Sequence, residues 1–172
     1  MIKKYVLLFS CLLFVHNYCF AKDIIQFDFP NNGWHKVQSP DKVESKKCYV
    51  PFGQESENFT EMLIFFERIL QNQDIGAMTI LQKQLGKDKN NFPDIVPQYI
   101  KQDMNDAMAA WCSKQKNTCT IERAFQGKEG VILAIYINKM PHYSQNMFGQ
   151  WSNILNAIEL YDSNNNKLAI EL

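Results

Sequence analysis

Histidine is scarce in this sequence, and the motifs that usually mark a metal or cofactor site are missing. Three histidines occur among 172 residues. There is no Gly-rich phosphate loop, no paired Cys-x-x-Cys motif and no calcium loop of alternating acids. Beyond the N-terminal segment only His35 and His142 remain, which is too few for a histidine-based metal site and little for acid-base catalysis. The sequence therefore predicts neither a metal ion nor a cofactor.

An excess of charge is missing as well. The chain has 18 basic and 18 acidic residues, and removal of Lys3 and Lys4 with the N-terminal segment leaves 16 and 18, a formal charge of −2. Proteins that bind nucleic acid or an anionic membrane surface carry clusters of positive charge. We therefore expect no nucleic-acid partner and, once that segment is cleaved, no membrane partner.

A hydrophobic run long enough to cross a bilayer is also absent. Two lysines precede an apolar segment, residues 5–15, which is shorter than the roughly 20 residues of a membrane-spanning helix. Cys19 and Ala21 then form the small-any-small pattern that signal peptidase recognises. We predict a secretory signal peptide at residues 1–21, a single domain at residues 22–172, and export to the periplasm or the medium. A retained membrane anchor is the alternative.

Three cysteines remain after cleavage, and an odd number leaves one over. In an oxidising compartment disulfides persist. Cys112 and Cys119 are separated by a short polar segment, so we predict a disulfide that joins the end of a helix to the start of a hairpin. Cys48 then remains as a thiol, which we interpret as buried and inert. A bridge from Cys48 to either partner, or between two copies, is the alternative that non-reducing peptide mapping distinguishes.

Residues 119–139 have the pattern of a β-hairpin at the centre of a sheet. The first arm alternates as a half-buried strand does, with Cys119, Ile121 and Phe125 on one face and Thr120 and Glu122 on the other. The second arm, residues 131–137, is apolar at nearly every position and rich in β-branched residues, which predicts a strand covered on both faces. Gly127 and Gly130 bracket the turn.

Apolar residues at helical spacing predict three helices. The first begins after Asp74 and ends at Gly86, with Ile75, Met78, Leu81 and Leu85 on its buried face. The second begins after Asp94 and buries Val96, Ile100, Met104, Met108 and Trp111. The third spans 144–157, with a stripe of Phe148, Trp151, Leu155 and Ile158. Strands are predicted at 23–29, 34–37, 48–51, 58–67 and, less regularly, at 158–161 and 167–172.

This order of elements predicts an α+β domain with an antiparallel sheet and two to three packed helices. A core strand entered through Asn58-Phe-Thr-Glu-Met, a long helix ending near a cysteine, a hairpin and a terminal helix together resemble small secreted bacterial proteins of unassigned function. Their arrangement is similar to the PsbP-like α/β/α sandwich. The resemblance covers most of residues 24–160 and implies a three-layer fold, and no catalytic motif comes with it.

Two groups of residues provide alternatives that involve catalysis. Cys48 with His35 or His142 has the residue types of a thiol nucleophile and its base. No recognisable cysteine-protease sequence surrounds Cys48, so surface histidines and a buried thiol are the simpler interpretation. Glu61 and Glu67 have the chemistry of a glycosidase pair, although such a pair needs a defined separation across a cleft. We expect these carboxylates to pair with basic residues at the strand ends.

The sequence is therefore most consistent with a non-enzymatic, exported binding or accessory module for another protein or a small ligand. A small exported hydrolase using Cys48 or the carboxylates near Glu61 is the alternative, as is a virulence-associated exoprotein that acts on a host. The predicted binding residues lie in the segments 38–57 and 140–144, which combine loop character with aromatic side chains. They are Tyr49, Phe52, His142 and Tyr143.

Overall fold

The fold is described by a computed structural model for residues 24–29, 33–39, 46–69, 75–128, 130–139, 145–161 and 164–168. The predicted signal peptide lies outside these residues, as do Asp74, His142 and Tyr143. Within the described ranges, no helix is both long and apolar enough to cross a membrane.

The described residues form an α+β fold, as predicted. Their elements are β1 (Ile24–Gln26), β2 (Trp34–Val37), β3 (Lys46–Pro51), β4 (Glu61–Ile69), α1 (Ala77–Asn91), β5 (Gln98–Gln102), β6 (Asp106–Ser113), β7 (Thr118–Gly127), β8 (Gly130–Asn138), α2 (Gln145–Asn156), β9 (Glu159–Tyr161) and β10 (Lys167–Leu168). An antiparallel seven-stranded sheet has the order β2-β3-β4-β8-β7-β6-β5, and a small sheet has the order β1-β9-β10.

The two helices pack on opposite faces of the large sheet. Ile80, Leu81 and Leu85 of α1 belong to one buried cluster, which includes Trp111 and Leu133 of the sheet. A second cluster on the other face is centred on Trp151 and Leu155 of α2 and also includes Leu160 of the small sheet. We call these the α1 face and the α2 face. Because both faces are covered, the central strands can be apolar at successive positions.

The central hairpin is confirmed. β7 and β8 pair in register down to Gly127 and Gly130, and Gly130 has a positive φ of 138° that a side chain would strain. β8 is the fourth of the seven strands. The prediction that the first arm is only half-buried is wrong, because Thr120 and Glu122 lie beneath α1 and are buried as well.

The predicted helix from Asp94 to Trp111 is wrong. This segment forms the edge strand β5 and its neighbour β6, and β6 pairs with β7 along its full length. Apolar residues four apart satisfy both periods, since four residues are close to one helical turn and equal two strand repeats. The long-range pairing with β7 therefore decides between the two conformations.

The boundaries of α1 also differ from the prediction. The helix does not end at Gly86 but continues to Asn91, and Gly86 lies on its exposed side. Its N-cap is Gly76, where a Cβ atom would lie 2.6 Å from the backbone oxygen of Met104. A glycine ends a helix when it adopts a positive φ, and Gly86 stays helical.

The third predicted helix is confirmed as α2, with Trp151, Leu155 and the following Ile158 buried. The strands predicted at 34–37, 48–51, 58–67 and 158–161 are present with shifts of a few residues at their ends.

The disulfide between Cys112 and Cys119 is confirmed. It joins opposite residues of β6 and β7 rather than a helix and a strand, because the predicted helix is absent. Cys48 is outside any disulfide and is fully buried in β3.

Removal of this disulfide by the double substitution C112A/C119A is expected to lower the free energy of unfolding by about 2.5 kcal/mol, because a closed loop of about eight residues restricts the unfolded chain. Urea unfolding of the oxidised wild type and of the double variant measures the difference. A reductant should shift the wild-type transition and leave that of the double variant in place. Equal transitions for the two proteins would show that the bridge between β6 and β7 does not stabilise the fold.

Candidate functional site

Four of the six large apolar side chains that are exposed among the described residues lie in or beside the edge strand β5. We call this group the β5 surface, and its members and exposed fractions are Val96 79%, Tyr99 40%, Ile100 44% and Met104 65%. β5 ends the seven-stranded sheet, so its outer edge is not paired with any described strand. Single exposed apolar residues are common, but four within residues 96–104 form a group of the kind that marks an interaction surface.

A β-bulge shapes the β5 surface. The pairing with β6 shifts register between Tyr99 and Lys101, which leaves Ile100 as the extra residue. Bulges twist an edge strand and interrupt the regular row of backbone donors and acceptors. A molecule that docks here would therefore be held mainly by the apolar side chains rather than by a long backbone ladder.

The two ends of the β5 surface are anchored to neighbouring elements. Near Met104, the first turn of α1 approaches closely, and the backbone nitrogen of Met78 donates to the Met104 oxygen at 3.4 Å. Near Val96, the Asp94 carboxylate accepts hydrogen bonds from the Ser113 hydroxyl at 2.8 Å and from the Gln115 backbone nitrogen at 3.2 Å. The surface is thus fixed to α1 at one end and to the β6–β7 turn at the other.

The end near Val96 is positively charged. Lys114 and Lys116 are exposed in the β6–β7 turn that Asp94 holds, and Lys87 and Lys89 are exposed near the C-terminal end of α1, which leads to this region. The Asp94 carboxylate is engaged with the turn, and Asp88 is buried. An approaching partner therefore meets apolar side chains next to exposed ammonium groups.

Tyr49 and Phe52, two of the predicted binding residues, have different surroundings. Tyr49 is part of β3 rather than a loop, and its ring packs within 6.2 Å of Phe65 and 5.5 Å of Phe29 in the α2-face core. Phe52 is 65% exposed in the turn after β3, where its ring stacks on His35 at 5.3 Å. His142 and Tyr143 lie outside the described residues, so a site shared by the two loops stays a prediction.

Cys48 is poorly placed for catalysis. Its exposed fraction is 0%, and it lies among Val37, Val50 and Ile64 of the α1-face core. His35 is on the neighbouring strand β2, where it pairs with Val50 rather than with Cys48. A nucleophile must be reached by its substrate, and this thiol is covered by apolar side chains.

Glu61 and Glu67 are too far apart to act together on a glycosidic bond. Six residues of an extended strand span about 20 Å, whereas the two carboxyl groups of such enzymes are roughly 5–9.5 Å apart. Glu61 accepts a hydrogen bond from the Tyr136 hydroxyl at 2.7 Å, and Glu67 forms an ion pair with Lys47. The expected pairing with a basic residue therefore holds for Glu67, while Glu61 pairs with a tyrosine.

A buried ion pair on the α2 face was not predicted. Arg123 donates from Nε and Nη2 to the two oxygens of Asp106 at 2.8 Å each, and from Nη1 to the Leu155 and Asn156 backbone oxygens. Burial alone would raise the pKa of Asp106, but hydrogen bonds from Arg123 and Lys101 outweigh it, so the pKa is lowered. This cluster ties β6 and β7 to the end of α2.

A second buried polar group lies on the α1 face. Glu122 of β7 and Asp88 of α1 face each other, and the Trp111 indole nitrogen donates to Glu122 Oε1 at 2.9 Å. Burial, followed by the hydrogen bond and charge of Asp88, raises the pKa of Glu122 well above its usual range. The sequence signal was two oppositely charged residues, Glu122 and Arg123, within a buried strand.

None of these groups assembles a metal site within the described part of the chain, where no three His, Cys, Asp or Glu side chains come together. Comparison with protein-family models, with curated proteins and with solved structures gives no match.

Proposed function

We propose that this protein is a non-enzymatic, exported binding module that docks another protein through the β5 surface. The observation that carries the proposal is the exposure of Val96, Tyr99, Ile100 and Met104 around one sheet edge. The remaining ionisable clusters of the described residues are buried or paired within the domain, as a structural role requires.

The charges near this surface favour a particular kind of partner. Lys114 and Lys116 are exposed beside the Val96 end of the apolar group, and the Asp94 carboxylate there is engaged by hydrogen bonds from the turn. Complementary charge increases the rate of encounter and disfavours wrong partners. We infer a protein segment that carries apolar side chains next to acidic residues.

Export is part of the proposal, and two features of the chain favour it. A disulfide persists in oxidising compartments, and Cys112 and Cys119 form one here. Together with the signal-peptide pattern of residues 1–21, this favours a periplasmic or secreted location. The resemblance to PsbP-like proteins stays a prediction, and one of its elements, the long helix, is replaced by β5 and β6.

Phe52 provides the competing docking site. Its ring is exposed and held by the His35 stack, and the Phe52 backbone nitrogen donates to Gly33 at 2.6 Å. A rigid exposed aromatic ring is a common anchor for a protein or a small ligand. The same experiment can test both surfaces, because β2 and β5 are the opposite edges of the large sheet.

Substitution of Ile100 by lysine is expected to weaken partner binding at least tenfold, about 1.4 kcal/mol, because a charge replaces an apolar contact. The oxidised protein is used as bait for periplasmic extract and medium, and proteins captured by the wild type are quantified for I100K and for F52S. Capture lost in I100K and retained in F52S supports the β5 surface.

The partner's charge is tested in the same format. The double variant K114E/K116E should capture less of that protein, and raising the salt concentration should weaken wild-type capture. Capture that depends on Phe52 and not on Ile100 would move the binding site to the β2 edge and overturn the proposal. Capture unchanged in both variants would also contradict it.

A further inference from the structure

The contact between α1 and the sheet includes two carboxyl groups that face each other in the core. Glu122 has an exposed fraction of 0% and Asp88 of 8%. Each has one oxygen with a conventional donor: Glu122 Oε1 accepts from Trp111, and Asp88 Oδ1 accepts from Gln84 Nε2 at 2.9 Å. The second oxygens, Glu122 Oε2 and Asp88 Oδ2, are buried with no donor within hydrogen-bond range among the described residues.

Two ionised carboxylates in this position would be unfavourable. Their charges repel at short range, and neither remaining oxygen would have a donor. A single proton between Oε2 and Oδ2 removes one charge and supplies the missing hydrogen bond to the other oxygen. One proton therefore satisfies both groups, as in other closely spaced carboxyl pairs.

In the part of the chain that the structure describes, no compensating cation faces the pair. Across the sheet, Glu122 lies opposite Ala109 of β6 and Ile135 of β8, and the next residue in that row on β5 is Tyr99. The lysines of α1 are exposed rather than turned to the pair, and they are Lys83, Lys87 and Lys89. The buried cation Arg123 belongs to the α2 face, where it is engaged by Asp106.

We propose that Asp88 and Glu122 share one proton, and that this shared proton is a pH-sensitive lock between α1 and the seven-stranded sheet. At pH values below the one at which Glu122 loses this proton, the protonated Glu122 donates a hydrogen bond to Asp88, which holds the last turn of α1 against β7. At higher pH Glu122 loses the proton, the hydrogen bond to Asp88 is lost, and repulsion between the two carboxyl groups favours opening of α1.

The lock also bears on the β5 surface, and this consequence rests on the proposed function. The first turn of α1 contacts Met104, one end of that surface, through the Met78–Met104 hydrogen bond and the close approach at Gly76. A loosened α1 would withdraw its support from Met104. Partner binding through the β5 surface should then weaken over the same pH range in which the lock opens.

The direction of the pH effect follows from proton linkage. Glu122 has a raised pKa when folded and about 4.3 when unfolded, so the folded protein holds one more proton between these values. The contribution of the lock to the free energy of unfolding is complete below the pKa that Glu122 has in the unfolded chain. It is lost as the pH rises through the pKa of Glu122 in the folded protein. Over that interval the unfolding equilibrium constant rises up to tenfold per pH unit.

Urea unfolding from pH 5 to pH 9 tests the proposal with a matched pair of variants. In E122Q the amide donates to Asp88 without titrating, so the alkaline loss of stability seen in the wild type should be greatly reduced. E57Q makes the same substitution at an exposed glutamate and should keep the wild-type profile. Identical pH profiles for the wild type and E122Q would overturn the lock.

Two measurements on the wild type make the test independent of how well E122Q folds. Carbon-13 NMR of the side-chain carboxyls should show Glu122 titrating well above the usual range. Hydrogen exchange of the α1 amides should accelerate with rising pH beyond the intrinsic base dependence. A normal Glu122 titration, or α1 exchange that follows only the intrinsic base dependence, would contradict the proposal. If the lock is observed but binding through Ile100 is not, the proposed function fails and the lock stands.

Discussion

Replacing Arg123 with methionine is expected to lower the free energy of unfolding by about 3–5 kcal/mol, because it leaves the buried Asp106 carboxylate without its main partner. The guanidinium donates hydrogen bonds to both oxygens of Asp106 and to two backbone oxygens at the end of α2. The remaining partner of Asp106 is Lys101, which is 31% exposed and therefore partly screened by water. Urea unfolding at pH 7 measures the loss.

Two further variants and the pH dependence of R123M separate the buried pair from a general effect of mutation. K101M should cost at most about 1 kcal/mol, since the pair it breaks is partly solvated. The double variant R123M/D106L should be more stable than R123M, because it removes the uncompensated charge. The pKa of Asp106 is lowered in the folded protein, so the Arg123–Asp106 pair stabilises the fold at pH values above the pKa that Asp106 has in the unfolded chain. This stabilisation is lost as the pH falls through the pKa of Asp106 in the folded protein. On acidification, R123M should therefore lose less stability than the wild type. An R123M variant as stable as K101M would contradict this view of the cluster.

Replacing Trp151 with alanine is expected to cost about 3–5 kcal/mol, since a large buried ring is removed from the centre of the α2-face core. Trp151 stacks on Tyr136 at 4.0 Å and meets Trp34 edge-on at 5.1 Å, so it joins α2 to the middle of the sheet and to β2. Denaturant unfolding followed by fluorescence and far-ultraviolet circular dichroism measures the effect.

The matched control is the exposed ring of Phe52. F52A removes an aromatic side chain with a 65% exposed fraction and should change the free energy of unfolding by about 0.5 kcal/mol or less. W151F keeps part of the packing, so its loss of free energy of unfolding should fall between those of W151A and F52A. A loss for W151A no larger than that for F52A would show that α2 is not held to the sheet through this side chain.

Several parts of the fold could be predicted because their signals are local. The hairpin from Thr118 to Asn138 combines a β-branched run with glycines at its turn, and α2 carries a stripe of apolar residues at helical spacing. The disulfide follows from two cysteines separated by a short segment. Each of these features depends on residues close together in the chain, so neighbouring residues were enough to define it.

The candidate site could not be predicted because it depends on what each residue is paired with. Val96, Ile100 and Met104 have the spacing of a buried helix face, and the structure exposes them because their segment becomes the edge of a sheet. That outcome follows from the pairing of β6 with β7, which covers eight successive residue pairs. A spacing of four residues does not distinguish the two conformations.

The buried charges show the same division. The sequence by itself determined that the chain folds as an α+β domain with a central hairpin, a Cys112–Cys119 bridge and the helix α2. Only the tertiary structure placed Asp88 of α1 against Glu122 of β7, and Asp106 against Arg123 on the opposite face. A charged residue in a strand can point to water or to a partner distant in the chain, and its neighbours in sequence do not say which. Burial, and with it the pKa, is a property of the packed layers rather than of the local sequence.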